Sequence, residues 1–200
     1  MKILISPAKK IDFSSEKTFL ENSTFVFSEK SKIIMKELSS YSDLQLSKLM
    51  KISSNLGILN KERNDNWKFP FPKNESKQAL LSFKGEVYQN MRIDKFNKSD
   101  FDFANNRLRI LSGLYGILKP SDLILPYRLE MGTKLKIGDD SNLYDFYLKH
   151  QDDIDSVLSE TNWFDNSMSK LNLKSLYDIT VGGCKEAINL LVGQIKNELF

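Results

Sequence analysis

Gly113, Gly116, Pro120, Pro126 and Gly132 crowd one stretch of the chain. Proline removes a backbone donor and fixes φ, and glycine leaves regular structure at little steric cost. No long helix and no long central strand can run through such a segment. Residues 113–133 are therefore expected to be tight turns and short helical pieces. Before them, the Ser99–Asp102 pair reads as a helix cap, and Ala104, Leu108 and Leu111 repeat at i, i+4, i+7. That spacing predicts a helix stopped by Gly113.

The rest of the chain supplies short elements of both kinds. Residues 2–6 form an apolar run ending at Ser6-Pro7, a first strand that proline closes. Residues 29–40 carry Ile33, Ile34 and Leu38 at helical spacing. Ser42 with Gln45 fits a capping box, followed by Leu46, Leu49, Met50 and Ser53 on one face, down to Leu56. Residues 64–74 read as a loop whose Trp67, Phe69 and Phe71 clamp onto the body. Residues 75–90 are helical, with a break at Lys84-Gly85. Residues 139–142 form a turn, 143–160 a helix and 175–181 a strand. A terminal helix runs from Cys184 with Ile188, Leu191, Val192, Ile195 and Leu199 on its stripe. The expected fold is mixed α/β, one compact domain with a mixed sheet wrapped by helices. Its 200 residues suit one ordinary domain.

Composition excludes several chemistries. One cysteine forbids an internal disulfide framework, and Cys184 with the lone His150 cannot build a Cys/His zinc site within one chain. Asp152, Asp153 and Asp155 near His150 read as a solvated face. No metal and no cofactor are expected. No apolar run reaches the roughly 18 residues of a membrane span. The expected setting is the reducing cytoplasm, with no membrane partner and a monomeric chain. The net charge of +3 divides unevenly, +9 over residues 1–136 and −6 over 137–200. Such a balance suits either a surface that attracts phosphate or a plain scatter of lysines, and the positions of the few arginines are the better guide.

The segment Arg107–Asp122 has the makings of a phosphate site. Glycines three apart, Gly113 and Gly116, let backbone amides turn outward, and a following helix start adds its own. The physical recipe is that of a helix-hairpin-helix, with its glycines one residue farther apart than usual; a plain helix-turn-helix corner, with glycines only for tightness, fits the same residues. On the expected helix Arg109 points to solvent beside Gly113, while the stem of Arg107 packs. Tyr115 and Lys119 lie in the same stretch. Pro126-Tyr127-Arg128-Leu129-Glu130 places a second arginine on an irregular segment, where Glu130 can pair with it. Ser6-Pro7-Ala8-Lys9-Lys10 sits at the C-terminal end of the first strand, where ligands collect in layered folds. Phe83-Lys84-Gly85 lets backbone approach a ligand closely. The rival reading is an enzyme acting on a phosphorylated or nucleotide substrate in the same basic cleft, with Ser6, Lys9 or Tyr127 in chemical roles.

At these segments the chain resembles the YaaA family of bacterial peroxide-stress-resistance proteins. The carrying strings are Leu4–Lys9 with Asp12, Phe83–Tyr88, Phe101–Ala104, Leu111–Gly116, Pro126–Gly132 and Leu143-Tyr144 with Phe146. The match covers about residues 1–150. The resemblance implies a non-enzymatic protein that limits oxidative damage and unincorporated iron under hydrogen peroxide. It also implies a compact mixed domain with a helix-hairpin-helix, at about residues 103–123 here, and a positively charged cleft that binds DNA. That cleft would draw on Lys9, Lys84, Arg109 and Arg128, with Gly113, Tyr115, Gly116 and Lys119 from the hairpin. Residues 151–200 depart from the family's basic C-terminal part and are acidic. They are expected to pack on the same domain.

Overall fold

The computed structural model describes residues 3–19, 22–72 and 74–150. The expectations for 151–160, for the strand at 175–181 and for the helix from Cys184 lie outside the described residues.

A small mixed sheet forms the centre. β1 (Ile3–Ile5) pairs in parallel with β3 (Leu108–Ser112), and β3 pairs antiparallel with β4 (Gly116–Leu118). All five residues of the central β3 are buried. A second pair joins β2 (Lys77–Gln78) to β5 (Leu123–Ile124), antiparallel. Helices surround these strands: α1 (Ser28–Ser40), α2 (Asp43–Met50), α3 (Ser54–Asn66), α4 (Ala79–Ser82), α5 (Glu86–Asn90), α6 (Lys98–Arg107) and α7 (Leu143–Leu148). A mixed α/β core results, as the sequence leads one to expect. Ile34, Leu38, Leu46, Leu80, Phe101, Leu108, Ile110 and Leu118 are each at most 1% exposed within it.

Local chemistry explains most of the element ends. Ser42 accepts from the Gln45 amide and Gln45 returns the bond, so α2 begins with the expected capping box. The helix does not continue to Leu56. Lys51 sits at φ 52°, and Ser53 caps a new helix. A left-handed turn at a residue with a Cβ is strained. Lys51→Gly is expected to raise stability by about 0.5–1 kcal/mol, read as an unchanged denaturant slope with a higher midpoint. A loss of stability would show that the lysine side chain matters more than the backbone.

The aromatic loop folds inward as expected. Phe71 stacks on Phe25 at 5.7 Å, and Trp67 donates its indole N–H to the Tyr115 hydroxyl at 3.1 Å. The chain also breaks at Lys84-Gly85, between α4 and α5.

Two expectations around residue 110 need correction. The helix is capped by Asn97 with Asp100, two residues before the expected pair, and it ends at Arg107. Leu108–Ser112 is strand. The helix-hairpin-helix over 103–123 is thus replaced by a helix that runs directly into a strand–turn–strand. Leu108, Ile110 and Leu111 form a short apolar run, which periodicity alone cannot assign. Pairing with β1 on one edge and β4 on the other decides it.

Candidate nucleic-acid interface

The chain leaves β1 at Ser6, at the carboxyl end of the parallel pair. The loop that follows, residues 6–17, is held on both sides. The Tyr88 hydroxyl donates to the Ser6 carbonyl at 2.8 Å. The Lys84 amide donates to the Lys10 carbonyl at 2.9 Å, and the Asp12 amide to the Ser82 carbonyl at 2.8 Å. Two lysines tie down its far end. Lys77 donates to the Ser15 carbonyl at 2.8 Å, and Lys17 donates to the carbonyls of Ile93, Asp94 and Phe96 at 2.6–3.1 Å. Lys77 is only 8% exposed, and its burial lowers its proton affinity. The Ser14 hydroxyl and amide hold the Asp12 carboxyl below the usual carboxylate range.

Three recesses ring this loop. The largest, about 1010 Å³, lies between the loop's 13–18 portion and α3, with Lys17, Arg63 and Lys77 among its lining. A second, about 630 Å³, contains Lys10, Lys17 and Lys84. The smallest, about 180 Å³, is bounded by Ser6–Lys9 and by Tyr127–Met131, with Leu111 at its back. Carboxylates are interspersed: Asp12, Glu16, Glu62, Glu75, Asp94 and Glu130 all line one recess or another. Cations and acids thus alternate around the loop. Lys10 and Lys84 make no ion pair among the described residues, whereas Lys9 lies 3.0 Å from Glu130. Arg128 reaches the same Glu130 oxygen at 3.6 Å, the pairing that its position two residues away suggests.

Of the eight candidate residues, the structure brings three to this loop. Lys9 and Arg128 share the small recess through Glu130, and Lys84 lines the neighbouring one. Their side chains come from segments far apart in sequence.

The other five lie elsewhere. Arg109 is 4% exposed on β3 and not on a solvent-facing helix turn. Its guanidinium donates to the carbonyls of Asn105 at 3.0 Å and Leu108 at 2.8 Å, closing the C-terminal end of α6. The glycine corner also faces inward. The amides of Leu114 and Tyr115 donate to the Ser112 hydroxyl at 3.2 and 3.0 Å, so they do not turn out toward a phosphate. A Cβ at Gly113 would fall 2.6 Å from the Leu129 carbonyl oxygen. Gly116 has φ +68°, and a Cβ there would meet the Phe27 ring at 2.7 Å. Both glycines serve close packing. Tyr115 is fully buried. Lys119 is half-buried beside Asp122, whose carboxylate accepts its amide at 2.7 Å, and it lines none of the three recesses. Arg107 stacks over the Phe103 ring at 4.7 Å, in line with a packing role.

Lys10, from the Ser6–Lys10 segment, stands in the loop's surroundings, and Arg63, Lys17 and Lys77, which no motif marks, join it there. Arg63 holds its proton less firmly than an ordinary arginine, because it is half-buried and because the Arg128 guanidinium is close by. A basic residue on a helix with no apolar stripe carries no sequence signal of the side it faces.

The rival chemical roles find little activation here. Tyr127 is 4% exposed, its hydroxyl pairs with Ser112 at 2.7 Å, and burial pushes its ionisation upward. Lys9 is engaged with Glu130. Among the described residues, no three His, Cys, Asp or Glu side chains gather as a metal site, and no helix is long and apolar enough to cross a membrane.

The comparisons with known proteins agree with the motifs. A UPF0246 protein of Clostridium botulinum strain Eklund 17B is 46% identical over 147 residues, which is 74% of this chain and 56% of that protein. One from Acaryochloris marina is 46% identical over 147 residues, 74% of this chain and 58% of its own length. One from Colwellia psychrerythraea is 41% identical over 161 residues, 80% of this chain and 63% of its own. The alignments thus reach little more than half the length of the curated relatives. The family model described as peroxide stress protein YaaA matches residues 1–181, extending past the last motif into the acidic section. With that match over most of its length, the chain belongs to the peroxide stress protein YaaA family.

Proposed function

We propose that this chain is a non-enzymatic DNA-binding protein of the peroxide stress response. It holds backbone phosphates along the 6–17 loop with little preference for base sequence. A limiting effect on oxidative damage and on unincorporated iron belongs to the same proposal and rests on the family. One observation carries the DNA reading: Lys9, Lys84 and Arg128, drawn from three remote segments, converge on one pinned loop at the carboxyl end of a parallel strand pair. Lys10 stands beside them, and the large groove next to the loop offers a path for a strand. Such contacts fix position and carry no base information.

The test is a salt titration of duplex DNA binding. Affinity should fall steeply with salt, and Lys84→Gln or Arg128→Gln should each reduce the slope by about one. Lys119→Gln should leave it unchanged. Binding that is flat between low and moderate salt would sink the proposal.

A further inference from the structure

Lys9 and Arg128 already share an anion of the chain's own. The Lys9 ammonium lies 3.0 Å from Glu130 Oε1, and the Arg128 guanidinium lies 3.6 Å from the same oxygen. One carboxylate against two cations leaves the place positive. The Arg128 fork is also unsaturated. A separation of 3.6 Å is too long for a hydrogen bond, and the Arg128 Nε is buried with no hydrogen-bond partner among the described residues. The backbone beneath Glu130 is fixed. The Thr133 amide donates to the Glu130 carbonyl at 2.9 Å, and Gly113 packs so closely that a Cβ there would fall 3.1 Å from the Glu130 carbonyl carbon. The Glu130 side chain, by contrast, is 41% exposed, against 18% for Arg128. Ion pairs with a solvent-facing partner are weak and open readily. Glu130 is thus a solvent-facing acid on a fixed tether, beside a guanidinium that is largely walled in.

A tethered group competes at a high effective concentration, about millimolar or above for a short tether. A free phosphate or chloride ion must displace Glu130 alone, at its own bulk concentration. A phosphate within a nucleic-acid strand is in a different position. Once its neighbours rest on Lys10 and Lys84, it too is presented at a raised local concentration. Those two lysines are close at hand: Lys10 follows Lys9 in the chain, and the Lys84 amide donates to the Lys10 carbonyl at 2.9 Å.

From this geometry we propose that Glu130 is a built-in counter-anion that fits the Lys9–Arg128 corner to phosphates carried on a strand and turns away free small anions. This rests on the DNA reading above and supplies the selectivity of that same site. Glu130 acts by occupying the two cations, so its removal strengthens binding. Removal of a residue that merely held Lys9 and Arg128 in place would weaken it.

The experiment measures duplex DNA binding by the full 200-residue chain and by Glu130→Gln at one ionic strength, in chloride and with part of the chloride replaced by inorganic phosphate. In chloride, Glu130→Gln should bind about fivefold more tightly than wild type. The exchange for phosphate should leave wild type within about twofold and weaken the variant by about fivefold. Glu29→Gln controls for bulk charge. It also releases a lysine, Lys32 at 2.6 Å, but it lies on α1 and lines none of the three recesses. Its affinity should stay within about twofold of wild type, because exposed charges farther than a Debye length are screened. Circular dichroism and thermal melting establish that each variant is folded, and Glu130→Ala repeats the measurement where Glu130→Gln melts early. Weaker or unchanged binding by Glu130→Gln overturns the proposal. So does an equal gain in Glu29→Gln, which would assign the effect to net charge, and so does an equal response of wild type and Glu130→Gln to phosphate. In each of these cases salt-dependent binding by wild type leaves the DNA reading standing. Absence of salt-dependent binding by wild type overturns both.

Discussion

Tyr115→Ala is expected to destabilise the fold by about 4 kcal/mol, the scale for deleting a large buried aromatic ring. The ring is fully buried, edge-on to Phe25 at 4.9 Å and to Tyr127 at 4.8 Å. Its hydroxyl accepts from the Trp67 indole and from the Leu125 amide, and donates to the Leu125 carbonyl. Tyr115→Phe keeps the ring and removes only that hydroxyl, leaving two buried donors unsatisfied. It should cost about 2 kcal/mol. Denaturant unfolding measures both. Burial pushes the Tyr115 phenol far above its ordinary ionisation, so it stays neutral at working pH. Because the residue is structural, Tyr115→Phe should show the wild-type salt slope on DNA. A full-strength fold combined with weakened DNA binding would return Tyr115 to the interface and contradict the packing described.

The second large effect belongs to Arg109. Within its electrostatic reach lies Asp122, 2% exposed, whose carboxylate accepts from the Ser23 hydroxyl at 2.6 Å and from the Lys119 amide. Burial raises the Asp122 carboxyl above 3.8; the Ser23 and Lys119 bonds oppose the shift, as do the nearby charges of Lys119 and Arg109. Arg109→Met removes one of those charges and leaves the buried acid less compensated. The expected loss is about 3 kcal/mol at neutral pH. The sign of the pH dependence follows from linkage. A carboxyl with a raised folded pKa binds its proton more tightly when folded than when unfolded. The stability this brings is complete below 3.8 and is lost as pH rises through the folded value. Removing Arg109 moves that folded value higher. The deficit of Arg109→Met relative to wild type should thus shrink on mild acidification. Asp122→Asn in the same background should recover part of it at neutral pH. A deficit independent of pH would mean that Arg109 acts only through its bonds to Asn105 and Leu108.

Much of this fold could be read from local signals, since those signals act locally. Ser42 and Gln45 form their capping box within one turn, Pro7 follows β1, and the aromatic loop has nowhere to place Trp67, Phe69 and Phe71 except the core. The failure at Leu108–Ser112 has a different origin. Its apolar run suits a helix face as well as a doubly buried strand, and the choice is made by β1, about a hundred residues away. Ser99-x-x-Asp102 and Asn97-x-x-Asp100 are equivalent caps on paper. Register on the core, through Phe101 and Ala104, selects the second. The same division holds for the site. Lys9 and Arg128 could be named because they flank a strand end and an irregular Pro-Tyr-Arg segment. Arg63 could not, because its direction depends on how α3 packs against α1 and α2. Arg109, Gly113 and Gly116 turn inward together, because all three take their facing from the strand–turn–strand at residues 108–118 and not from a helix.

The tethering of residues 6–17 has an implication for substitution. Lys17 gathers three main-chain oxygens and Lys77 reaches two, each with a compact ammonium that points its protons in several directions. A flat guanidinium cannot reproduce either arrangement in the same volume. Exchange of lysine for arginine, harmless at exposed Lys10, is closed at these two positions. Two of the chain's 29 formal positive charges are thus struts for the backbone and are withheld from any visiting polyanion.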